Sequence, residues 1–83
     1  AYYSRGIAYW KLGQDERAIQ DYDEAIRIDP LFALAYVNRA LPRTYLRDDA
    51  AAQRDIASAI EIGVDQRIID NASTVIETVN SRR

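Results

Sequence analysis

Apolar and small residues recur along this chain at the three- and four-residue spacing of one helical face, and short polar or chain-breaking segments divide the pattern into five predicted helices. The first, about Ala1 to Leu12, sets Tyr2, Gly6 and Tyr9 inward. Gly13 then supplies the positive φ of a stop. The second, about Asp15 to Ile28, opens on two acids that suit a helix N-terminus. It sets Ala18, Tyr22 and Ala25 inward and Asp21, Asp23, Glu24 and Arg27 on a mostly solvated outer face. Asp29-Pro30 breaks the chain, and the third helix runs from Leu31 to about Tyr45. The fourth, capped by Asp48-Asp49, rebuilds the inward face with Ala52, Ile56, Ala59 and Ile60 and ends at Gly63. The fifth, about Gln66 to Asn80, carries Ile68, Ile69, Ala72, Val75, Ile76 and Val79 and has no second helix to pair with. It is expected to cap the last exposed face, the alternative being a helix that docks on another molecule.

Sliding the chain by 34 residues exposes a repeat. Ala1, Tyr2, Arg5, Leu12, Asp15, Ala18, Asp21, Ala25, Ile26 and Ile28 meet identical residues at 35, 36, 39, 46, 49, 52, 55, 59, 60 and 62. Average composition would give roughly two such matches over that span by chance. Arg5 and Arg39 recur together with Asp21 and Asp55, which predicts a structural Arg–Asp pair on adjacent helices. The second copy is degenerate in its first half: Pro42 stands for Ala8, Arg43 for Tyr9 and Arg47 for Gly13. Pro42 deprives the Asn38 carbonyl of its partner, so a kink or break is expected between Asn38 and Pro42, with a groove widened at the second copy.

The spacing Tyr2-x-x-Arg5-Gly6-x-x-Tyr9, then Ala18-x-x-x-Tyr22-x-x-Ala25, then Pro30, resembles the tetratricopeptide repeat. Arg5 where that family usually has Leu is the main departure. The resemblance implies an all-α fold: helix-turn-helix repeats stacked as a short right-handed α-solenoid. Repeat one would span 1–30, repeat two 31–64, and a capping helix or half repeat 65–83. In this family the first helices of successive repeats line a concave groove that receives a peptide or a helix. Carried onto this chain, the groove positions are Tyr3, Ser4, Ile7, Trp10 and Lys11, then Val37, Asn38, Leu41, Thr44 and Tyr45. One subclass grips a C-terminal carboxylate with a lysine and an asparagine on its first groove helix. Tyr3 and Ile7 stand there instead, and only the second-helix asparagine is kept, as Asn38. The groove is apolar and aromatic, so the expected partner-binding residues are Tyr3, Ile7, Trp10, Val37, Asn38, Leu41 and Tyr45, either open to a protein or peptide segment or covered by neighbouring repeats or the rest of a longer chain.

Composition narrows the function further. Eleven basic and thirteen acidic residues give a net charge of −2, which lacks the electrostatic footprint of nucleic-acid binding. No apolar run approaches a membrane span, so no membrane insertion is expected. No signal peptide is visible, and the cytoplasm is favoured. The chain holds no Cys and no His, which removes thiolate nucleophiles, imidazole acid–base chemistry and the commonest metal ligand. Gly6, Gly13 and Gly63 are spent on packing and helix ends, leaving no phosphate loop. Asp15-Glu16 and Asp48-Asp49 read as helix starts and not as acid–base pairs. No enzymatic activity, cofactor or metal site is therefore expected. A chain of 83 residues without Met, opening on Ala1 inside a helical pattern, reads as a piece of a longer protein. Two roles remain: an adaptor for an apolar or amphipathic segment, or a self-assembly module whose copies meet near Trp10, with a regulatory segment of a larger protein as a third.

Overall fold

The computed structural model describes residues 1–82 and contains five helices: α1 (Tyr2–Lys11), α2 (Asp15–Ile28), α3 (Ala33–Tyr45), α4 (Asp49–Ile62) and α5 (Gln66–Ser81). The architecture is all-α. Helices pair in sequence order, α1 on α2 and α3 on α4, and α2 packs onto α3 to join the pairs into a tetratricopeptide-like stack.

Local chemistry fixes each connection. After α1, Gly13 takes φ +76°, and the Gln14 amide donates to the Tyr9 carbonyl at 2.9 Å, closing the helix end. After α3 the same turn recurs, with Asp48 donating to the Arg43 carbonyl at 2.8 Å. Arg47 must there adopt a left-handed φ of +63°. Arg47→Gly should therefore raise stability by about 0.5–1 kcal/mol, the left-handed penalty less the entropy glycine adds to the unfolded chain. A urea midpoint that stays put or falls would contradict it. Between α2 and α3, Asp29 is extended (φ −134°, ψ 91°). Its carboxylate accepts from the Leu31 amide at 3.2 Å, which delays the start of α3 to Ala33. Between α4 and α5, Gly63 is instead left-handed (φ +104°), and the Asp65 carboxylate caps α5 by accepting from the Arg67 amide at 2.9 Å.

The pairs are packed by matched sizes. A Cβ on Gly6 would lie 2.8 Å from Cε1 of Tyr22, so the absence of a side chain at Gly6 is what lets the Tyr22 ring bury completely. In the second pair Ala40 and Ile56 hold the corresponding places, a larger floor under a smaller knob, and both are buried.

Three expectations need correction. Asp21, assigned to the solvated face, is buried, because its carboxylate turns toward α1 to meet Arg5. Ile60, assigned inward, is half exposed; Ala52, Asp55, Ile56 and Ala59 fill the inward arc of α4, and α5 touches α4 at only a few residues. The expected break in α3 is absent: the helix runs through Pro42 to Tyr45. α3 is the one helix that contacts all four others. The Pro42 ring is buried, and the ladder resumes at once with Leu46 donating to the Pro42 carbonyl at 3.0 Å. Packing of α3 against the other helices offsets the local cost of the proline, so the helix continues through it.

Candidate protein-binding groove

α3 is the expected floor of the groove, and α1 and α5 both pack on it while their backbones do not contact each other. The reason lies in the link before α5. The extended Asp29 leads α3 onto α2 and into the stack, whereas the left-handed Gly63 sends α5 back across α3.

On the α1 wall, Tyr3, Ile7 and Trp10 are half-buried. The Tyr3 ring lies 4.6 Å from Phe32 and its hydroxyl accepts a 2.8 Å bond from Asn38 Nδ2. Burial pushes the Tyr3 pKa up, against the opposing effect of the Asn38 bond. Asn38, on the floor, also donates to the Leu34 carbonyl at 3.0 Å, which holds its amide plane while its Oδ1 makes no hydrogen bond among the described residues. At the far end Trp10 meets the exposed Tyr45 edge-on, centroids 6.2 Å apart. The fold thus brings Tyr3 to Asn38 and Trp10 to Tyr45.

Val37 and Leu41, expected as open groove positions, are buried. They share a core cluster with Ile69, Ala72 and Ile76 of α5, so the cap covers them. Ile68, Asn71 and Val75 of α5, none of them among the expected binding residues, face α3. With Val37, Asn38 and Leu41 they line a cleft of about 200 Å³. The half-buried Ile68 and Val75, seven residues apart, mark that edge of α5, but only the change from Asp29-Pro30 to Gly63-Val64 tells which helix it faces.

Behind the groove the expected Arg–Asp pairs are present in both repeats. Arg5 grips Asp21 with Nε and Nη2, each at 2.8 Å. Arg39 grips Asp55 at 3.1 and 2.6 Å, and Arg43 adds a 2.8 Å bond to the same carboxylate. A contact not foreseen crosses between repeats: Arg39 Nη1 to Asp23 Oδ1, 2.7 Å. Burial works against the charge of Arg39, but its bonds to Asp55 and Asp23 outweigh that effect and raise its pKa. Hydrogen bonds from Arg5 hold the Asp21 carboxyl below the usual range despite its burial. That contribution is complete above the ordinary Asp pKa of about 3.9 and disappears as pH falls through the lower folded value. The thermal midpoint should accordingly fall with acidification below about pH 4. Asp21→Asn should flatten part of that slope; parallel slopes would refute the assignment.

Residues 1–32 match the family model described as tetratricopeptide repeat. No curated protein and no solved structure matches the chain.

Proposed function

Since residues 1–32 match a tetratricopeptide repeat and the five helices fit about two and a half such repeats, we propose that the chain is a non-catalytic scaffold that seats an apolar or amphipathic segment of another protein between α1 and α5. Such repeats are in general protein–protein interaction modules, and no catalytic family matches the chain. The observation that carries the finer reading is the cleft between α3 and α5, lined by Val37, Asn38, Leu41, Ile68, Asn71 and Val75. Tyr3 of α1 is hydrogen-bonded to Asn38, whose Oδ1 makes no hydrogen bond among the described residues. α5 supports the chemistry from within the molecule, because an amphipathic helix already rests on Val37 and Leu41 of the same floor. Leu41 and Val37 would contribute to binding through α5, while Tyr45 would close the Trp10 end.

Trp10 is the single tryptophan, so its emission reports on the groove without a label. Displayed peptides selected on the chain should shift that emission on binding. Ile7→Asp, which places a charge on the apolar wall, should weaken them about tenfold or more. Peptides that bind with Trp10 silent and Ile7→Asp without effect would overturn the reading.

A second reading, assembly of identical chains, is favoured by one feature. Leu12, Tyr45 and Leu46 are exposed at the end of the molecule where Trp10 also sits. It calls for a concentration-dependent dimer in sedimentation that Trp10→Ala abolishes, and a monomer at millimolar concentration would exclude it.

A further inference from the structure

Arginines of this chain lie over the rings of Tyr2, Tyr9 and Tyr36, 5.4 to 5.9 Å from their centroids. No cation among the described residues lies over Trp10 or Tyr45, although indole is the best aromatic face for one. Trp10 comes from the last turn of α1 and Tyr45 from the end of α3, and their planes stand at 76°. With Lys11, Gly13 and Asp15 the two rings line a pocket of about 300 Å³ that spans repeats one and two. Asp15 is the acid of this pocket, and its charge is unused. The start of α2 has no side-chain cap, and the half-buried Asp15 carboxylate has no hydrogen bond or ion pair among the described residues. Burial and the neighbouring charge of Glu16 push its pKa up. Lys11 stands exposed at the rim and does not pair with it. Because α1 ends at Lys11 and α3 at Tyr45, two helix C-termini add partial negative charge beside the same pocket.

We propose that this pocket is a binding site for the alkylammonium group of an N-methylated lysine on a partner protein. The group gives its N–H to Asp15 and sets its methyls against Trp10 and Tyr45. Two rings close to a right angle form a corner that suits a compact cation on two sides, whereas a flat guanidinium stacks on one ring, as the arginines here do on tyrosine. Methylation favours entry, since an unmodified ammonium is strongly hydrated and offers the rings no methyl surface. The single carboxylate sets the upper limit. A dimethylammonium keeps one N–H for Asp15, and a trimethylammonium keeps none. The pocket is at the small end of the range for ligand sites, which fits one side-chain head group. Asp15 and Lys11 line no part of the cleft between α3 and α5, so this site stands or falls separately from that one.

The probes are the Nα-acetyl methyl esters of dimethyl-lysine, trimethyl-lysine and the uncharged norleucine. Each is titrated into the 83-residue chain while the Trp10 indole N–H and the backbone amides of Asp15 and Tyr45 are followed by NMR. The dimethyl probe should give saturable shifts at all three, the trimethyl probe should bind about tenfold more weakly, and norleucine should leave them still. Asp15→Ala removes no hydrogen bond of the fold. It should weaken the dimethyl probe about tenfold and erase its advantage over the trimethyl one. Should that variant lose its fold, Tyr45→Ala truncates an exposed ring and should weaken both charged probes several-fold. Norleucine binding as tightly as the dimethyl probe would overturn the proposal, and so would a trimethyl probe that equals it on the parent chain. Shifts centred on Asn38 and Ile68, or a dimer through Trp10 that keeps every probe out, would overturn it as well.

Discussion

Asp55→Ala is expected to lower stability by about 3 kcal/mol, whereas Asp21→Ala should cost only about 1 kcal/mol, although the two residues are equivalent in the repeat. The difference comes from what each aspartate leaves behind. The Asp55 side chain is 3% exposed and lies between Arg39 and Arg43, which are themselves 15% and 22% exposed. Its removal leaves two largely buried guanidiniums, and among the described residues only Arg39 keeps another ion-pair partner, Asp23. Among the described residues Asp21 pairs with Arg5 alone, which is already mostly in water and can rehydrate readily. Urea midpoints of the two variants, with Asp55→Asn as a milder form should the alanine variant fail to fold, decide the matter. Variants that differ by less than about 0.5 kcal/mol would mean that Arg43 and Arg39 escape to solvent as easily as Arg5.

Removing α5 should have a still larger effect. A chain ending at Gly63 loses Ile69, Ala72 and Ile76 from the core and uncovers Val37 and Leu41 on α3. Two buried isoleucines alone are worth roughly 3–6 kcal/mol, comparable to the whole stability of a small domain. Pro42 worsens the outcome, because α3 relies on packing to continue as a helix through it. The shortened chain should lose its cooperative thermal transition, and a peptide spanning Gln66–Ser81 should restore helicity when added back. Full helicity and an unchanged midpoint without α5 would show that the helix is an accessory.

What the chain made legible beforehand was everything encoded by spacing. The helices follow from the three- and four-residue pattern, and the turn at Gly13 from a residue that bears φ +76° without strain. The Arg5–Asp21 and Arg39–Asp55 pairs follow from their joint recurrence. Two things were not encoded that way. An apolar residue on a groove position looks the same whether a partner or the chain's own helix covers it, so Val37 and Leu41 read as open although α5 lies over them. The direction in which α5 leaves α4 rests on one backbone angle at Gly63, which no periodicity records. Pro42 misled for a related reason. The cost of a proline is local and visible in the sequence, while the packing that offsets it is spread over four other helices. Of the groove itself, Tyr3, Ile7, Trp10, Asn38 and Tyr45 were named from register alone, and the α5 wall was not.

That no helix contacts another more than two elements away along the chain bears on how the protein reaches its fold. α1 contacts only α2 and α3, and α4 and α5 reach back no further than α3. Contacts of such short sequence separation favour folding in microseconds to milliseconds. They also make α3 the sole route by which one half of the molecule senses the other. Amide hydrogen exchange should therefore be slowest in α3 and graded outward. The α1–α2 hairpin should open on its own at lower free energy than the α3–α4–α5 unit, which would let a partner remodel that half while leaving the rest folded.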